Sequence, residues 1–143
     1  MVEKILVPVD GSDTMERTVS YACDLLKMLG GTLTLIHVAV LPAVGETGAA
    51  SVPIDPTPLI QAGKKISENA LKITEEKGCK ADTILEMGAG NAGHKIVSVA
   101  QEKGFTLIVI HARGHSKIAN LLVGSVCHTV AHRSPCRVLV VRP

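Results

Sequence analysis

The segment from His111 to Cys127 carries the residue types best suited to holding a phosphate group. It reads His111-Ala112-Arg113-Gly114-His115-Ser116, runs through Lys117 to Val123, and closes on Gly124-Ser125-Val126-Cys127. It follows Leu107-Ile108-Val109-Ile110, an apolar run with the composition of a buried strand. A glycine-bearing loop leaving a strand, then a second glycine with a hydroxyl at a helix start, is an arrangement an anion can use. Small residues let the backbone approach, and the unpaired amides of a first helical turn face the charge. The helix start alone is insufficient. It contributes about 0.3–1 kcal/mol per favourable charge, up to ~2 kcal/mol when partly buried. Micromolar binding needs about 8 kcal/mol. Loop amides, the Ser116 and Ser125 hydroxyls, Arg113 or Lys117, and burial of an apolar base must supply the rest.

Other residues invite chemistry and are weaker candidates. Asp10 could hydrogen-bond a ribose hydroxyl or a metal-bound water, or it could close a local Asx turn. Ser12 reads as a turn or cap rather than a nucleophile, since no G-x-S-x-G elbow surrounds it. His128 and His132 share a helix face at a spacing that suits a metal. No glutamate follows His128 and no third ligand is evident, so a metal site is not expected. His37 reads as a polar contact near the end of a strand, and His94 as helix-start surface. Gly88-Ala89-Gly90 with Gly93 resembles part of a dinucleotide fingerprint. It follows the third strand rather than the first, and no acidic residue ends a strand about twenty residues later. A dinucleotide fold is therefore rejected.

Composition narrows the function further. The chain has 143 residues and a formal net charge of +2, which fits one domain with a substantial core and gives no case for nucleic acid or membrane binding. Tyr21 and Phe105 are the only aromatic residues. A stacking platform for single-stranded nucleic acid cannot be built from them. A purine would have to lie between aliphatic side chains and take its specificity from backbone groups. No apolar run reaches the length of a membrane span, and the first residues enter a strand pattern without a leader. Cys23, Cys79, Cys127 and Cys136 are scattered without a C-x-x-C pair, as expected of buried thiols in the reducing cytoplasm.

These residues must be positioned by alternating strands and helices. Lys4–Val9 reads as strand one. Asp10-Gly11-Ser12 turns the chain, and Asp13 with Glu16 resembles a capping box. Val19, Ala22, Cys23, Leu26 and Leu29 recur at helical spacing up to Gly30-Gly31. Leu33–Val38 is strand two. From Pro42 to Pro58, four prolines and two glycines give no period, and a flexible excursion loop is expected. Leu59, Ala62, Ile66, Ala70 and Ile73 mark a second helix ending near Gly78. Ala81–Met87 is strand three, Gly88-Ala89-Gly90 a turn, and Asn91 the cap of a third helix with Ile96, Val97, Val99 and Ala100. Phe105–Ile110 is strand four, about Leu121 to His132 the fourth helix, and Arg137–Val141 strand five. Strict alternation argues for a three-layer, doubly wound α/β domain with a parallel sheet. Ligands of such sheets sit beyond the carboxyl ends of the strands, where the winding reverses. Strands one and four would flank that point, so Pro8–Ser12 and the loop from His111 should face each other across one cleft.

The whole chain resembles the universal stress protein family, whose domain is of the adenine nucleotide alpha hydrolase-like type. The resemblance is carried by Ile5-Leu6-Val7-Pro8-Val9-Asp10-Gly11-Ser12, the long loop after strand two, and Gly124-Ser125-Val126 followed by Ser134-Pro135-Cys136-Arg137-Val138-Leu139-Val140-Val141-Arg142. Nucleotide-binding members have a glycine, two residues, a glycine, nine residues, then glycine with serine or threonine. Gly114 and Gly124-Ser125 match with the gap intact, and His111 replaces the first glycine. The resemblance implies a five-stranded parallel sheet in the order 3-2-1-4-5. It implies ATP, ADP or AMP as ligand, with Mg2+ beside the phosphates. Pro8, Val9 and Asp10 would contact the nucleoside and Val38 the adenine. His111, Ala112, Arg113, Gly114, His115, Ser116 and Lys117 would wrap the phosphates, with Gly124, Ser125, Val126 and Cys127 completing the grip. The family has no strongly supported catalytic activity, so no catalytic residue is expected and slow ATP hydrolysis is the most that is foreseen.

The resemblance also implies a homodimer. Strand five would lie at a sheet edge, yet Val138–Val141 is continuously apolar, whereas exposed edges are usually blunted by charge or proline. Pairing with a second copy would bury it. The leading expectation is a cytoplasmic stress-response dimer that binds an adenine nucleotide as a switch or sensor. The alternative is a nucleotide-independent module for an unknown protein partner, for which His111 and Thr106, where the family often has aspartate, give some weight. An adenylating enzyme of the related pyrophosphatase type would carry Ser-Gly-Gly-x-Asp-Ser after strand one. This chain has Asp10-Gly11-Ser12-Asp13-Thr14.

Overall fold

A computed structural model describes residues 2–41, 55–112 and 124–142. The chain alternates β1 (Glu3–Pro8), α1 (Met15–Leu29), β2 (Gly31–Leu41), α2 (Thr57–Glu76), β3 (Asp82–Ala89), α3 (Ala92–Lys103), β4 (Leu107–His111), α4 (Ser125–Arg133) and β5 (Arg137–Val141). The sheet order is β3-β2-β1-β4-β5, with every neighbouring pair parallel. The winding reverses beside β1, which pairs with β2 on one edge and β4 on the other.

The pleat of the strands sorts the apolar side chains into two cores. Ile5, Val7, Leu33, Leu35 and Val109 join Val19, Ala22 and Cys23 of α1 and Ala70 of α2. Leu6, Ile36, Val38, Ile108 and Ile110 join Ile96, Val99 and Ala100 of α3 and Cys127 and Val130 of α4. Continuous apolar runs such as Ile5-Leu6-Val7 are therefore what a sheet covered on both faces requires.

Several boundaries differ from expectation for identifiable reasons. α1 starts at Met15 behind Thr14, whose side chain makes no cap bond, so Asp13 and Glu16 form no capping box. β2 begins two residues early, because Gly31, at φ +116, runs hard against Glu3: a Cβ there would lie 1.8 Å from the Glu3 carbonyl oxygen. Thr57 and Pro58 belong to α2, whose first turn tolerates a proline that has no amide to pair. Of the expected excursion loop, residues 42–54 lie outside the described residues. Gly88 and Ala89 finish β3 instead of turning, and only Gly90 takes positive φ. α4 begins at Ser125, and Leu121 lies outside the described residues.

Thr106 bolts the sheet at the end of β4 away from the cleft. Its hydroxyl donates to Glu3 Oε2 at 2.5 Å, and its Oγ1 accepts the Lys4 amide at 2.8 Å. Glu3 Oε1 also receives Arg137 at 2.9 Å. A threonine here joins the starts of β1, β4 and β5 and takes no part in the cleft, so it does not weigh for nucleotide independence.

Candidate functional site

At the carboxyl ends of β1, β2 and β4 lies a cleft of about 370 Å³, within the range of small-molecule sites. Pro8, Val9 and Asp10 form one wall, His111 another, and Gly124, Ser125, Val126 and Cys127 a third; Val38 lies on the floor. These expected residues therefore converge. Ala112 is buried next to the cleft, its amide donating to Val141 O at 2.9 Å, and does not line it. Arg113, Gly114, His115, Ser116 and Lys117 lie outside the described residues.

The aspartate corner is tightly wired. The Ser12 amide donates to Asp10 Oδ1 at 3.0 Å, closing the Asx turn. His111 Nε2 lies 3.3 Å from Asp10 Oδ2 and 3.4 Å from Ser12 Oγ. Burial opposes ionisation of Asp10, but the bonds from His111 and Ser12 outweigh it and hold the carboxyl well below the usual carboxylate range. Aspartate, histidine and serine meet here without forming a hydrolytic triad. In a triad the acid and the hydroxyl use opposite ring nitrogens, whereas here both approach Nε2. The other nitrogen, Nδ1, is buried and has no partner among the described residues.

His111 is the last residue of β4, and no non-glycine residue described has positive φ. Histidine in place of the motif's first glycine is therefore compatible with the backbone. What it changes is space, because the imidazole stands in the cleft where a glycine would leave room.

The start of α4 offers anion-binding groups. Gly124 is the N-cap and supplies no side-chain cap bond. The following amides belong to residues that line the cleft. A first helical turn without a side-chain cap presents N–H groups and the positive end of the helix dipole. The Cys127 thiol is pushed up by burial and stays neutral, so it adds no repelling charge. Asn91 fixes this helix start. Its Oδ1 caps α3 by accepting the Gly93 amide at 2.8 Å, while its Nδ2 donates to Thr129 Oγ1 at 2.8 Å and Ser125 O at 3.2 Å. The capping role of Asn91 is visible in sequence; its tie to α4 needs the fold.

His37 is the main residue that sequence reading undervalued. Its Nδ1 lies 2.7 Å from Val9 O. A carbonyl only accepts, so Nδ1 carries the proton and Nε2 of the neutral ring is an acceptor. The ring lines the cleft together with Leu59, Ala62 and Ile66 of α2. Gly63 makes this approach feasible, since a Cβ there would lie 2.8 Å from Leu85 Cδ1 and 2.9 Å from His37 Cδ2. The floor is otherwise aliphatic, formed by Ile36, Val40, Ile96 and Ile110, as the lack of aromatic residues requires.

His128 and His132 lie with ring centroids 4.4 Å apart, tilted 57° to each other, on an exposed face of α4. Among the described residues no group of three or more His, Cys, Asp or Glu is placed to hold a metal.

The fold defines a doubly wound α/β domain with a cleft at the switch point of its sheet. Within that class, the sequence profile of the Universal stress protein family matches residues 1–142, and the chain belongs to this family. It is similar to Universal stress protein YxiE of Bacillus subtilis, with 39% identity covering 99% of this chain and 100% of that one. Its fold is similar to that of a universal stress protein from Archaeoglobus fulgidus, with a TM-score of 0.77, 26% identity and 98% of both chains covered. A structure of the universal stress protein from Archaeoglobus fulgidus in complex with dAMP superposes with a TM-score of 0.72, 25% identity and 98% of both chains covered.

Proposed function

We propose that the protein binds an adenine nucleotide in this cleft and acts as a ligand-dependent switch or sensor without fast turnover. The observation that carries the reading is the opposition of two unlike walls across about 370 Å³. The start of α4, lacking a side-chain cap, offers donors to a phosphate. Asp10, at the end of β1, offers acceptors to sugar hydroxyls. The aliphatic floor between them suits a base, with Val38 beneath it. The relative from Archaeoglobus fulgidus in complex with dAMP supports the same ligand class. ATP, ADP and AMP share the part of the ligand that these walls address. Mg2+ would travel with a polyphosphate, held chiefly by the phosphates.

Ser125, Val126 and Cys127 would hold the phosphate end, with Arg113, Gly114, His115, Ser116 and Lys117 of the adjoining segment closing over it. Among the described residues of the cleft, no histidine holds an acid and a hydroxyl on opposite ring nitrogens, so we assign no catalytic residue. Dimerisation through Val138–Val141, and residence in the reducing cytoplasm, belong to the same proposal.

Mass spectrometry of ligand released from the purified protein is the deciding experiment. An adenine nucleotide in stoichiometric amount supports the proposal. Ligand-free protein that takes up neither AMP nor ATP with magnesium in calorimetry refutes it. One observation favours a second reading, a nucleotide-independent interaction module: the His111 imidazole stands in the cleft against Asp10. Phosphate release followed over hours measures turnover, and a rate typical of enzymes would overturn the switch role.

A further inference from the structure

At the opposite end of the sheet from the nucleotide cleft, two cysteines 56 positions apart in the sequence meet in one core. α2 ends in a reversal built on Gly78, which takes φ +68. The Gly78 amide donates to Glu75 O at 3.0 Å and the Cys79 amide to Thr74 O at 2.8 Å. The second of these is the outer bond of a Schellman motif, which turns the residue after the glycine back toward the helix and the core. Cys79 is directed inward by that geometry and packs in the same buried cluster as Cys23 of α1. Cys23 is fully buried, and burial followed by the neighbouring Cys79 thiol pushes its pKa up to about 12. Cys79 differs in access. It lines a groove of about 620 Å³ between the ends of α1 and α2 and the starts of β2 and β3.

We propose that Cys79 and Cys23 form a peroxide-responsive dithiol that closes to an intramolecular disulfide, tying α1 to the connection between α2 and β3. The groove admits a peroxide to Cys79. The Cys79 thiol attacks one peroxide oxygen, the O–O bond breaks, and water leaves, giving a sulfenic acid. The Cys23 sulfur then attacks that sulfur, its proton leaves with the hydroxyl as a second water, and the S–S bond forms. One peroxide is reduced and two thiols are oxidised. Cys23 is sealed from the groove and so does not meet the peroxide first, while its place in the same core as Cys79 puts it where it can resolve the sulfenic sulfur. Neither residue belongs to the nucleotide cleft, so the site stands independently of the ligand assigned there.

The test uses the whole native chain with all four cysteines, treated with hydrogen peroxide and analysed without reduction. The expected product has lost two hydrogens in intact mass, maps to a single Cys23–Cys79 cross-link, and reverts with dithiothreitol. The bridge would enclose β2 and all of α2, so melting should shift upward by about 5–15 °C. Cys136→Ala should leave the cross-link unchanged, and Cys79→Ser should abolish it. Sulfinic acid accumulating at Cys79 without a bridge, or a bridge formed through Cys127 or Cys136 instead, overturns the proposal. The mapping on the unmutated chain decides the matter even where Cys79→Ser fails to fold.

Discussion

Replacing His111 with glycine tests how the cleft is tuned. The imidazole is 7% exposed, engages Asp10 Oδ2 at 3.3 Å, and leaves Nδ1 without a partner among the described residues. In His111→Gly the ring no longer competes for that carboxylate oxygen, and a sugar hydroxyl can take its place. A hydrogen bond to a charged group contributes about 1.5–3 kcal/mol net. The 3.3 Å contact is long, so the exchange is set at the lower figure, roughly a tenfold gain in affinity. The folded chain should lose stability at the same time. It forfeits a buried packing group and gains a glycine in β4, the latter alone costing about 0.5–1 kcal/mol. Calorimetric titration of AMP, and of ATP with magnesium, into wild type and variant measures the first effect; thermal unfolding without ligand measures the second. His111→Ala opens nearly the same space with ordinary backbone freedom and should reproduce most of the gain. Equal or weaker binding in both variants would refute the idea that the imidazole competes with ligand.

Asp10→Asn should flatten the acid limb of stability. The native carboxyl titrates below its ordinary value of 3.8, so its contribution is complete above that value and is lost as pH falls below it toward the folded value; urea midpoints between pH 7 and pH 2 should show the wild type losing more than the variant. Gly63→Ala forces a methyl against Leu85 and His37 and should cost about 1–3 kcal/mol by overpacking, with weaker nucleotide binding as α2 is pushed from the floor; an unchanged urea midpoint would show that the helix yields freely. Val140, 38% exposed on edge strand β5, is the position where Val140→Glu should turn a dimer into monomer or aggregate; light scattering that shows an unaltered dimer would remove this strand from the interface.

Much of the architecture is legible because parallel sheets write themselves plainly. Runs such as Leu6-Val7 and Ile108-Val109-Ile110, buried on both faces, leave continuous apolar segments, and the helices between them keep their period. The alternation implies a crevice at the reversal, which brings Asp10 toward His111 and Ser125 across most of the chain. What stayed hidden depends on contacts between elements. Nothing local to His37 reveals that Val9 fixes its tautomer, or that Gly63 exists to admit it. Nothing local to Ser12 reveals a histidine 99 positions away. Gly88 read as a turn because glycine is ambiguous in sequence. In the fold it serves space, since a Cβ there would come within 2.9 Å of Val38 Cγ1. The expected capping box failed for a related reason. Asp13 and Glu16 have the right spacing, but the chain leaves the Asx turn at Ser12 in a path that makes Thr14 the first half-helical residue.

The central place of β1 has a consequence for synthesis. Its partner on one side arrives soon, but the other edge waits for β4, about a hundred residues later. Until the ribosome has released that strand, Ile5 to Val7 present an unpaired apolar border, open to proteases and to the same border on another nascent chain. A shortened product ending before β4 would lack His111 and the wall from Gly124 to Cys127, because the notch is completed only when the last-made third of the polypeptide docks against the first-made strand.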